Sequence, residues 1–207
     1  MLNKIPAQIT CEDFKYFIRT ISERAPAKRG ISVRALEKFI NTHKLQSHSV
    51  EDFISAVILP QTGNGKCSFA SLFAENVDKG PAAVPPVGTV THFVCLSNTR
   101  KPPFSSVVAA LVELEKQLFS ADPEKLSTGA AMYVWLDMLC LNLHEVTHRA
   151  TDQPPRRAWE MEDHNMIADQ VIKQAQEFVL FLDNWQNPTI FSDGPCLCEL
   201  FFAQVSK

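Results

Sequence analysis

Two stretches of this sequence carry residue types and spacings that could do chemistry. His144-Glu145-Val146-Thr147-His148 has the form H-E-x-x-H. On a helix this spacing sets two imidazoles on one face to hold zinc, with the glutamate as general base. His164 is the candidate third ligand. Against this reading, Arg149 follows at once and the preceding segment reads better as a strand, so the pattern also stands as a chance match. The second stretch is the apolar segment Cys196 to Val205, read as a helix in which Glu199 is the only charge. A carboxylate in the first turn of a helix just past a parallel strand sits where α/β sheets keep their sites. The plainer alternative is a solvated carboxylate that stabilises a helix start. Cys196-x-Cys198 is too tight and too isolated to argue a zinc site, and no metal ligand is assigned.

The elements that must position Glu199 are legible as alternating apolar runs. Phe178 to Leu182 is short, apolar and closed by Asp183-Asn184, which predicts a strand buried on both faces. Ser192-Asp193-Gly194-Pro195 then predicts a helix start with proline in its first turn. Upstream, Val90 to Leu96 predicts a strand, Ser105 or Ser106 to about Phe119 a helix, and Ala131 to Leu139 a second central strand. Residues 143–158 are polar and proline-broken, hence loop, and Trp159 to Gln176 predicts another helix. This alternation argues an α/β fold with a parallel sheet and right-handed crossovers.

Residues 1–78 read as a small all-helical domain. Thr10, Ser32, Ser49 and Ser68 are candidate caps of four helices, and Pro60 is expected to close the third. Gly63 to Phe69 resembles the second half of an EF-hand loop, with Ile31 and Cys67 as the paired central apolar positions. Pro60, Thr62 and Ser71 stand where carboxylate ligands belong, so the resemblance is to a degenerate pair and no calcium is expected. Residues 79–89 hold two glycines and three prolines and read as a linker to an α/β domain over 90–207.

Composition narrows the function classes. The 207 residues carry a net charge of −3, which gives no basic footprint for nucleic acid. No apolar run suits a membrane span, and the N-terminus lacks an apolar signal core. Six scattered cysteines, several inside apolar runs, fit reduced buried thiols in a cytoplasmic protein.

Ser192 followed by Cys196-Leu197-Cys198-Glu199-Leu200 is similar to the S-x-W-C-L-x-E-L signature of Toll/interleukin-1 receptor (TIR) domains. The resemblance runs from about residue 90 to 205 and is strongest to TIR-like domains of algae and protists. Ser97 and Phe104 keep the spacing of the first strand–loop–helix unit, Asp137 matches the acidic end of the second strand, and Asn142-Leu143-His144 stands where relatives have N-Q-H. Pro195, Asn98 and Arg100 replace tryptophan, histidine and tryptophan of the family pattern. The resemblance implies a flavodoxin-like sheet. A full TIR sheet adds a strand and a helix after the glutamate helix, whereas this sequence ends at Lys207, implying a fragment or a domain lacking its last strand. An incomplete sheet leaves an edge that favours pairing with another chain.

In TIR domains that cleave NAD+ the signature glutamate is catalytic, which here implies Glu199. Ser97, Arg100 and Asp137 would line the same cleft, with Trp185 placed to floor it. The replacements point instead to a catalytically silent signalling module acting by protein–protein association or self-association. An NAD+ glycohydrolase using Glu199 is the alternative, and a zinc hydrolase through His144 and His148 the second alternative. No cofactor is implied, NAD+ entering only as substrate.

Overall fold

A computed structural model describes residues 25–65, 67–76, 84–97, 103–122, 130–144, 159–184 and 186–206. Five strands form one sheet: β1 (Gly30–Ser32), β2 (Val87–Gly88), β3 (His92–Leu96), β4 (Tyr133–Trp135) and β5 (Glu177–Phe181). Their order is β2-β1-β4-β3-β5. The β3–β4 and β3–β5 pairs are parallel, with Phe93 beside Trp135 and Phe178. The β1–β2 and β1–β4 pairs are antiparallel. The architecture is therefore mixed α/β.

Several helices accompany the sheet among the described residues. Helix α1 is Val33–His43. Helix α2 covers residues 50–62 in three parts: α-helical Val50–Phe53, π-helical Ile54–Ile58 and α-helical Leu59–Thr62. Then come α3 (Phe69–Asn76), α4 (Phe104–Ala121), α5 (Asp137–Cys140), α6 (Trp159–Gln174) and α7 (Gly194–Val205). Helix α2 opens with a capping box, in which the Ser49 side chain accepts from the Asp52 N–H and Asp52 accepts from the Ser49 N–H. Pro60 does not close α2. The wider π-helical turn just before it accommodates a residue that has no N–H and crowds the carbonyl four positions back.

The separate all-helical domain is corrected by the pairing. Ile31, inside that range, lies between Val87 and Val134. Both edges of Ile31 are thus taken, so it does not pair with Cys67 as an EF-hand pair requires. Val87–Gly88, inside the expected linker, is itself a strand. The hydrophobic core runs across this boundary: Phe53 stacks on Phe104 with ring centroids 4.4 Å apart. The Arg29 guanidinium donates to the Cys140 carbonyl at 2.8 Å. Gly88 permits the close approach of β2, because a Cβ there would meet the Tyr133 ring at 2.7 Å. The Thr10 helix start lies outside the described residues.

Two strand expectations also change. β1 and β3 are buried throughout, whereas β5 is half-buried and, among the described strands, pairs with β3 alone. The run from Ala131 yields three strand residues, because the Asp137 carboxylate accepts the Met138 N–H at 2.6 Å and a short helix begins there. From β3 the chain passes through α4 to β4 on one side, then through α6 to β5 on the other. With right-handed crossovers, opposite directions of travel put α4 and α6 on opposite faces. In keeping with this, α4 packs on α1 and α6 packs on α7. The gap beyond the carboxyl ends of β3 and β5, where the direction changes, is where such sheets hold ligands.

Candidate functional site

At that gap β3 delivers Cys95 and Ser97, and α7 delivers Cys196 and Glu199. Cys196 and Glu199 are three residues apart on a helix and share its inner face. Proline in the first turn fixes the start of α7, and Asp193 just before it is buried. Glu199 therefore lies in the second turn, not the first. Cys95, Cys196 and Glu199 are 0, 3 and 5% exposed. Their sulfur and carboxylate atoms all lie within 4.8 Å of one another.

The surroundings of Glu199 are mostly uncharged or acidic. His164, on α6, puts its Nε2 3.8 Å from Glu199 Oε1. Ser97 donates to Asp193 Oδ2 at 3.0 Å. Burial pushes the Glu199 carboxyl up to about 8, with the charges of Asp137 and Asp193 adding to the rise and the Cys95 thiol opposing it. Hydrogen bonding to Cys196, then burial, then Glu199 push the Cys95 thiol up. Near neutral pH, with these groups alone, Glu199 holds its proton and can donate a hydrogen bond.

The structure brings Ser97, Asp137 and Glu199 of the expected site into one neighbourhood. Arg100 and Trp185 lie outside the described residues. Glu199 is neither in an open cleft nor solvated on a flat surface; α6 and the segment before α7 cover it. A groove of about 530 Å³ lies elsewhere, between α1 and α4, lined by Arg34, Val112, Glu115 and Phe119 among others. His144 and His164 have different neighbours: the His144 Nε2 is 2.8 Å from the Thr62 hydroxyl, whereas His164 faces Glu199. Glu145 and His148 lie outside the described residues.

Sequence reasoning missed Cys95, Cys196 and Asp193 as companions of Glu199. The Cys196/Glu199 spacing was available as a signal. The approach of Cys95, 101 positions away from Cys196, was not.

The outer side of α7 is unlike the inner. Leu197, Phe201 and Val205 recur every four residues and are 45, 61 and 67% exposed. Phe191, in the turn packed on α7, is also exposed. Among the described residues no helix is long and apolar enough to cross a membrane. No family model, curated protein or solved structure matches the chain.

Proposed function

We propose that this chain is a TIR-like, flavodoxin-like interaction module that is catalytically silent and works by self-association through the outer face of α7. The observation that carries this reading is the reversed polarity of α7. Its carboxylate and thiol face inward, while Leu197, Phe201 and Val205 form an apolar stripe toward solvent. A second copy suits that stripe, because a twofold contact needs one self-complementary patch. The seclusion of Glu199, 5% exposed, supports catalytic silence.

Sedimentation velocity tests the proposal. Phe201→Asp removes an anchor and puts a charge into the contact, and weakens self-association about 100-fold or more. One observation favours the alternative, an NAD+ glycohydrolase. Ser97, Asp137 and Glu199 gather beyond the strand ends, where a buried carboxylate could stabilise developing positive charge on a ribose. NAD+ consumption by concentrated protein, lost in Glu199→Gln and indifferent to chelator, would establish that alternative.

A further inference from the structure

We propose that Cys95, Cys196 and Glu199 form a buried binding site for a thiophilic divalent cation of the zinc class. The donor set is two sulfurs and one carboxylate oxygen, ligand types that zinc accepts. Sulfur donors select zinc-like ions over magnesium or calcium. The spacing suits one ion. Bonds of about 2.0–2.3 Å in a tetrahedron place ligand atoms roughly 3.3–3.8 Å apart. The three donors already lie within 4.8 Å of one another. The His164 Nε2 is 3.8 Å from Glu199 Oε1 but stands outside the three-donor cluster.

Three further features favour a cation here. The ligands come from β3 and α7, so one ion would tie that helix to the parallel part of the sheet. Asp137 and Asp193 add negative potential at Glu199, which stabilises a divalent ion. Cys95, Cys196 and Glu199 are buried. Three protein ligands leave the fourth position of a tetrahedral ion to another donor. The site is distinct from the H-E-x-x-H residues and does not depend on association through α7.

The test uses reduced full-length protein, stripped with chelator and titrated with cobalt(II) alone, then with zinc. One equivalent of cobalt should give the intense visible bands of tetrahedral coordination and near-ultraviolet thiolate charge transfer, and zinc should bleach both. Zinc should also raise the melting temperature. Cys95→Ser and Cys196→Ser should each lower the charge-transfer intensity by about half. Loss of a direct ligand should weaken zinc binding more than about 100-fold, exceeding the 10–100-fold typical of outer partners. Cys198→Ser, which removes the neighbouring more exposed thiol, should change nothing. If the serine variants fail to fold, Glu199→Gln keeps the shape and should still lose zinc affinity. Folded, reduced protein with no cobalt bands and no zinc-dependent shift would overturn the proposal. So would Cys198→Ser abolishing binding as Cys196→Ser does.

Discussion

Among the described residues the fold buries two glutamates, and they are held in opposite ways. Glu115, 4% exposed on α4, accepts from Arg34 Nε at 3.0 Å and from the Met132 N–H at 3.1 Å. One carboxylate thus ties α1, α4 and the segment entering β4 together, and its charge is compensated. Glu199, 5% exposed on α7, has thiols, two neighbouring aspartates and an imidazole at 3.8 Å. Burial without a strong partner favours the neutral form or a bound cation. The contrast separates a carboxylate that holds the fold from one held ready by it.

The largest effect should come from removing the compensated charge. Glu115→Ala leaves the Met132 N–H without its acceptor and Arg34 without its partner. It should cost about 2–4 kcal/mol in urea unfolding, below the full penalty of a wholly buried pair because Arg34 is part-exposed. Glu199→Gln preserves shape and a hydrogen-bond donor, and in chelator-treated protein should raise stability at neutral pH, because it lifts the penalty of keeping a carboxyl neutral there. Equal losses in the two variants would erase the distinction.

Acidity sharpens it. In chelator-treated protein the Glu199 carboxyl, at about 8 against an ordinary 4.5, keeps its proton while the unfolded chain gives its own up. Its contribution to stability is full below about pH 4.5 and is lost as the pH rises through 8. Unfolding free energy should therefore fall over that window, by up to about 1.4 kcal/mol per pH unit from this group. Cys95, Cys196, Asp137, Asp193 and His164 face it. The slope should be shallower in Glu199→Gln; identical slopes would show that Glu199 is ionised throughout.

A smaller effect is expected at the far edge of the sheet. Gly88→Ala sets a methyl group against the Tyr133 ring and should cost about 1–3 kcal/mol by overpacking. It should leave zinc binding at Cys95 and Cys196 untouched. Thermal unfolding and zinc titration of the same variant check both statements. Smallest of all, Phe201→Asp on the exposed stripe should alter monomer stability by no more than about 0.5 kcal/mol.

Much of the α/β half was legible in the sequence because its signals are local. The apolar runs at His92–Leu96 and Glu177–Phe181 and the periodicity of Phe104–Ala121 are set by neighbouring residues. What escaped depends on distant pairing. Gly30–Ser32 is too short to signal a strand, and becomes one only by lying between Val87 and Val134. Its addition merges the N-terminal helices into the same core. The half-burial of β5 follows from its place at the edge, which its own apolar residues do not reveal. At the site, Glu199 stood out as a lone charge on an apolar helix. Its two thiol neighbours looked like ordinary core cysteines until β3 and α7 were brought together.

Self-association through the outer face of α7 is tested most directly by sedimentation velocity of wild-type protein and Phe201→Asp over a wide concentration range, with matched circular dichroism. The wild type should shift from monomer to dimer as concentration rises, while the variant stays monomeric and folded. A wild type that remains monomeric throughout, or a variant that associates as readily, would contradict the proposal.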